Sequence, residues 1–236
     1  MKTARKAILT VLCVCLVVLA SVMGTLAYLT DDDAVTNTFT VGDVKINLDE
    51  APVDENGKAT DADRVKENDY HLLPGQTYDK DPTVTVLKGS EETYVRMLVT
   101  FTYSSQLDAI FAPTGAQMTS IFGGYDPANW QLIDDVEDAA ANTRTYEFRY
   151  VGSKDQGSKA GTVAKAEDGD IVLDDLFETI TVPGFVDNDQ LASLVTLNED
   201  GEIVDQFKIH VEAHAIQAAG FDSADEAWAA FDIQNP

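Results

Sequence analysis

From Tyr94 to Tyr103 apolar and polar side chains alternate: Val95, Met97, Val99, Phe101 and Tyr103 share one face, Arg96, Thr100 and Thr102 the other. A period of two sustained this long belongs to a half-buried β-strand, and such a strand needs a sheet around it. Other segments supply the partners. Thr83 to Leu87 is short and β-branched, Trp130 to Ile133 and Leu176 to Val182 read as strands, and Thr143 to Val151 sets Tyr146, Phe148 and Tyr150 against Thr145, Glu147 and Arg149. Thr36 to Leu48 carries Phe39 and Val41, then Val44, Ile46 and Leu48, on either side of a turn or bulge at Gly42-Asp43. In Ile203 to Ile216, Phe207, Ile209, Val211 and Ala213 face inward, while Lys208, His210, Glu212 and His214 face outward. Gln106 to Phe111 and Gln117 to Phe122 suit short helical turns. A capping box at Ser223-Ala-Asp-Glu226 opens a closing helix with Ala224, Ala227, Trp228 and Phe231 as its apolar stripe. Asp49 to Asp69 reads as an exposed loop, Pro74-Gly75 as a turn, and Gly152 to Asp170 as a flexible loop. The pattern predicts a mainly β protein, an antiparallel β-sandwich with short helical insertions and a C-terminal helix.

The first 27 residues follow a different rule. Lys2, Arg5 and Lys6 precede an uncharged apolar run from Ala7 to Met23, and Gly24-Thr25-Leu26-Ala27 then offers small residues where a signal peptidase reads them. This predicts a signal-peptide helix, cleaved between Ala27 and Tyr28, and a secreted product. The competing reading is an uncleaved membrane anchor, against which the apolar run falls short of the roughly 20 residues a span requires. The expected organisation is a signal peptide over 1–27, an N-terminal arm over 28–41 and a β-sandwich domain over 42–236. A lipid anchor would need a lipobox ending at Cys13 or Cys15, and neither has the small residue before it.

Those two cysteines are the only ones in the chain. After cleavage no thiol remains for a disulfide, a zinc–thiolate site or a nucleophile, and the core must supply stability unaided. Charge narrows the partners. The chain has 16 Lys+Arg against 41 Asp+Glu, and because 1–27 holds three cations and no acid, the remainder carries a net charge of −28. Such a surface repels nucleic acid and anionic lipid, so no nucleic-acid partner is expected, and contact with a membrane is expected only through the uncleaved signal segment.

Motifs for catalysis are sparse. His210-Val-Glu-Ala-His214 is not the zinc-protease H-E-x-x-H, but on a strand His210, Glu212 and His214 share a face at roughly 7 Å intervals, where a metal ion could sit. The plainer reading is a solvated strand face. His71 lies in a loop without a visible partner. No Gly-x-Ser-x-Gly elbow and no phosphate-binding glycine loop occurs. Asp168-Gly169-Asp170 and Asp187-Asn188-Asp189 could suggest calcium, yet neither matches the twelve-residue calcium loop, and both read as acidic turns. Neither a catalytic residue nor a cofactor is expected, calcium and zinc lacking a supporting motif.

Gly24-Thr25-Leu26-Ala27-Tyr28-Leu29-Thr30-Asp31, followed by Asn37-Thr38-Phe39-Thr40-Val41-Gly42-Asp43-Val44-Lys45-Ile46, resembles the TasA/camelysin family. Leu73-Pro74-Gly75-Gln76, Lys80-Asp81-Pro82-Thr83-Val84 and Tyr94-Val95-Arg96 are similar to the same group, as are Ala213-His214-Ala215-Ile216-Gln217, Gly220-Phe221 and the Trp228 helix. The likeness covers both ends well and residues 104–206 poorly. It implies a jelly-roll-like β-sandwich exported with a SipW-type signal peptide, a dedicated SipW-type signal peptidase as partner, and homo-oligomeric fibres in a biofilm matrix. In such fibres the N-terminal strand of one subunit inserts into the sheet of the next. Here that donor strand would be about Tyr28 to Val41, with Leu29, Val35, Phe39 and Val41 as its apolar contacts. The resemblance therefore implies a non-enzymatic structural protein of a Gram-positive cell surface. The alternatives are a camelysin-like metal-dependent peptidase, whose zinc motif is missing, and a monomeric surface adhesin or binding module.

Overall fold

The computed structural model describes residues 43–235. The signal-peptide helix, the arm and the first strand expected from Thr36 lie outside the described residues. Within them the strands are β1 (Ile46–Asp49), β2 (Thr77–Asp79), β3 (Thr83–Val86), β4 (Thr93–Thr102), β5 (Phe122–Gly123), β6 (Trp130–Asp138), β7 (Thr143–Tyr150), β8 (Ile171–Val172), β9 (Thr179–Thr181), β10 (Val195–Leu197), β11 (Ile203–Gln206) and β12 (Ile209–Gln217). Helix α1 (Ser104–Phe111) and two 3₁₀ turns follow β4, α2 (Asn188–Ala192) precedes β10, and α3 (Ala224–Gln234) closes the chain.

The fold is mainly β, and the strand pairings are antiparallel. A four-stranded sheet in the order β12-β4-β7-β6 is accompanied by the three-stranded sheets β1-β3-β8 and β2-β9-β5 and by a ribbon of β10 and β11. Strand β4 is central because its apolar face fits nowhere else. Val95, Met97, Val99 and Phe101 are buried in one cluster with Phe148 of β7, Val84 and Val86 of β3, Ile180 of β9, and Leu176 and Phe177. The sandwich is thus closed by side chains of one face of the large sheet meeting those of the two smaller ones. Phe101 stacks on Phe122 and Phe207 at 5.9 and 6.0 Å and meets Tyr146 edge-on at 5.7 Å.

Several expected elements take a different extent. Strand β6 runs on from Ile133 to Asp138 through a bulge between Leu132 and Asp134. The single stretch expected over Ile203 to Ile216 breaks at Phe207-Lys208, so that β11 pairs with β10 and β12 with β4. The outer face of β4 is half covered rather than open. Tyr94 and Arg96 are buried there beneath α3, where Ala227 and Trp228 join Tyr94 and Ala218 in a second, smaller core. Ser223 does cap α3 by accepting from the Glu226 N–H, but the Glu226 carboxylate turns to the Asp222 N–H at 2.8 Å.

The two long loops are more strongly tied than their composition suggests. In the first, Glu50 and Val65 exchange backbone hydrogen bonds, and Arg64 reaches Asp49, Asp81 and Thr83. In the second, Glu92 accepts from Thr162 Oγ1 (2.6 Å), Ser158 Oγ (2.7 Å) and the Lys159 N–H (3.1 Å). Buried backbone that lacks a ladder partner needs such anchors.

Candidate functional site

Strand β12 pairs with β4 from Ile209 opposite Phe101 to Gln217 opposite Thr93, which turns His210, Glu212 and His214 to the outer face as its alternation requires. His210 Nε2 lies 3.1 Å from Glu212 Oε1, and His214 Nε2 lies 4.0 Å from Glu212 Oε2. His214 Nδ1 accepts from Arg96 Nε at 3.3 Å, and the ring stacks on Phe231 of α3 at 4.9 Å. Burial, then the neighbouring guanidinium, holds this imidazole below its ordinary pKa. Among the described residues no three His, Cys, Asp or Glu side chains gather as a metal would require. His214 instead belongs to the seat of α3.

The other sequence candidates have structural tasks. His71 is exposed, and its backbone carbonyl accepts from the Tyr78 hydroxyl at 2.6 Å. Asp170 accepts from the Lys88 N–H at 2.7 Å, and the Asp168 carbonyl from Lys88 Nζ at 3.3 Å. Asp187 is the N-cap of α2 in a full capping box with Gln190, a D-x-x-Q signal that sequence reading passed over.

Two features emerge only from the fold. The first is one edge of the large sheet. Among the described residues strand β6, like β12 at the opposite end of the sheet, has a partner on one side only, and Gln131 to Asp138 are exposed, including Leu132, Ile133 and Val136. Asp134, Asp135, Glu137 and Asp138 interrupt the apolar row, and Arg144 of β7 binds Asp135 and Glu137. Acidic side chains on an edge strand discourage indiscriminate pairing. The second is an acidic groove of about 630 Å³ where β1, β2, β3 and the segment from Leu173 to Thr179 meet. Asp49, Asp79, Asp81, Asp175 and Glu178 line it around Arg64. Burial, reinforced by Glu178, Asp81 and Asp174, pushes the Asp175 carboxyl up.

Beside this groove is a polar triad of two buried residues, Glu50 and Lys80, and the half-buried Asn68. Glu50, immediately after β1, and Lys80, immediately after β2, are 5% and 9% exposed and form an ion pair. Asn68 Nδ2 donates to the second carboxylate oxygen, Glu50 Oε1, at 3.0 Å and to the Ala51 carbonyl at 2.9 Å. The sequence contains no spacing that announces this meeting, because the three residues come from three separate segments.

The cleavage pair Ala27-Tyr28 and the arm residues Leu29, Val35, Phe39 and Val41 lie outside the described residues. No known protein family, curated protein or solved structure matches the chain.

Proposed function

We propose that this is an exported structural protein of a bacterial cell surface or biofilm matrix, whose copies join into fibres by strand addition. The observation that carries the reading is the outer edge of β6, where a backbone row unpaired among the described residues and the exposed Leu132, Ile133 and Val136 invite a further strand. The arm over 28–41 is the strand to be added. It follows directly on the apolar segment that directs export, so it is freed only by cleavage. Each large side chain it buries contributes roughly 1.5–3 kcal/mol, less the cost of ordering the arm. The acidic side chains along β6 oppose the approach of another acidic chain, and their repulsion is screened over about 8 Å at physiological salt. Assembly is therefore promoted by salt or acid.

The experiment is electron microscopy of the secreted protein, whose N-terminus should be Tyr28. Fibres are expected at high salt and at low pH. Deleting residues 28–37 should abolish them and leave a folded monomer. A truncated protein that still forms fibres, or a full mature protein that stays monomeric under both conditions, overturns strand addition by the arm.

A further inference from the structure

We propose that Lys80 and Asn68 become joined by an isopeptide bond, formed within the folded chain with Glu50 as the catalytic carboxylate. The inference is independent of how, or whether, the protein assembles.

Buried lysine and glutamate are uncommon, and an ion pair withdrawn from water gains little net stability. The arrangement here has a third member that an ion pair does not need. One carboxylate holds an amine on Oε2 and a carboxamide nitrogen on Oε1, so the nucleophile and the leaving group of an amide exchange lie on the two oxygens of a single proton carrier. The carboxamide oxygen is also engaged: Asn68 Oδ1 accepts from the Val53 N–H at 3.0 Å. That donor stands where negative charge grows when an amine adds to Cγ.

The surroundings hold the participants still and bury the amine and the carboxylate. The Tyr70 ring lies 5.8 Å from Lys80 Nζ and meets Tyr78 edge-on at 5.8 Å, with its hydroxyl bonded to the Asp79 carbonyl at 3.0 Å. The backbones are pinned as well. Lys80 N–H donates to the Glu178 carbonyl at 3.0 Å, and Glu50 is bonded to Val65 in both directions. Fixing reactants in this way converts an encounter into an intramolecular step, the condition under which an unactivated amide can be attacked.

In the reaction, Glu50 takes a proton from the Lys80 ammonium, and the freed Nζ adds to Asn68 Cγ. The oxyanion on Oδ1 is held by the Val53 N–H. Nζ gives up a second proton, the Cγ–Nδ2 bond breaks, and both protons leave on the departing nitrogen as ammonium. One C–N bond forms and one breaks, and no oxidant or metal takes part. The product replaces a buried charged pair with a neutral amide, and Glu50 keeps the new N–H as its donor. In a chain whose cysteines are confined to its first 15 residues, such a bond supplies the covalent tie that a disulfide supplies elsewhere.

Tryptic mapping of the purified, denatured protein tests this. An acylated Lys80 is no longer a cleavage site. The expected product is a single peptide from Glu67 to Lys88, lighter than its sequence mass by one ammonia, about 17 Da, and yielding no backbone fragments between Asn68 and Lys80. Ammonia lost at Asn56-Gly57 would appear on a different peptide. The Glu50→Gln variant should release Glu67–Lys80 and Asp81–Lys88 separately, each at its sequence mass. The wild-type map decides even where that variant fails to fold: quantitative release of Glu67–Lys80 at its unaltered mass overturns the proposal, as does an unchanged bond in Glu50→Gln.

Discussion

The guanidinium carbon of Arg96 sits 4.4 Å from the centre of the Trp228 ring, so the outer face of β4 holds the last helix through a cation on an indole. The same group lies 5.1 Å from the Phe231 ring and donates to Asp232 at 2.6 Å and to His214 at 3.3 Å. The packing and the exposed ion pair should contribute very unequally. Trp228→Ala removes a fully buried side chain and is expected to cost about 3–5 kcal/mol. Asp232→Asn alters an ion pair whose acid is more than half exposed, and should cost less than about 1 kcal/mol. Denaturant unfolding of both variants measures the difference.

His214 gives this seat a pH dependence. Burial, then Arg96, lowers its pKa from 6.5, while Glu212, Asp232 and Glu147 pull the other way without reversing the shift. The folded protein therefore binds this proton less readily than the unfolded chain does. Its contribution is complete above pH 6.5 and is lost as pH falls through the lowered folded value. His214→Gln should flatten the slope of stability against pH in that window, before carboxylates begin to protonate. An unchanged slope in the variant would place the effect elsewhere.

Glu92 should govern the loop from Gln156 to Val163. Burial pushes its carboxyl up, but hydrogen bonds from Thr162, Ser158 and Lys159 outweigh that and hold it below its ordinary value. Glu92→Ala removes the acceptor for three donors at once, a local loss of about 1–2 kcal/mol. Tryptic cleavage after Lys159 in the native protein should accelerate roughly tenfold, since 1.4 kcal/mol is a factor of ten.

Gly57 and Gly115 make a matched pair. Both have positive φ, +70° and +68°. A Cβ on Gly57 would lie 2.3 Å from Cδ1 of the buried Tyr78, whereas one on Gly115 meets nothing within 4 Å. Gly115→Ala should cost only the left-handed backbone strain, about 1–2 kcal/mol. Gly57→Ala adds displacement of an aromatic ring and should exceed that by at least about 1 kcal/mol. Thermal unfolding of the two variants provides the comparison.

Much of the framework was legible because period-two alternation is a local signal. Met97, Val99 and Phe101 are buried as their parity requires, and the order of β3, β4, β7 and β12 follows the alternating segments. Arg96 was placed on the right face but in the wrong environment, since nothing near it in sequence announces that Trp228 will cover it. Exposure of the apolar residues on β6 was hidden for the opposite reason: Leu132, Ile133 and Val136 look like core until the sheet order leaves them at its edge. The triad of Glu50, Asn68 and Lys80 was illegible, because its meaning lies in distances between segments and not in the spacing of any motif.

The two tryptophans stand in different clusters. Trp130 belongs to the main core and donates its indole N–H to the Asp174 carbonyl at 2.8 Å, whereas the Trp228 N–H is buried without a hydrogen-bond partner among the described residues. The chain thus carries two built-in fluorophores with dissimilar surroundings, one sensing global unfolding and the other sensing departure of the final helix. Emission recorded from Trp130→Phe and Trp228→Phe proteins would assign each signal, so that fraying of the C-terminus can be timed separately from collapse of the sandwich.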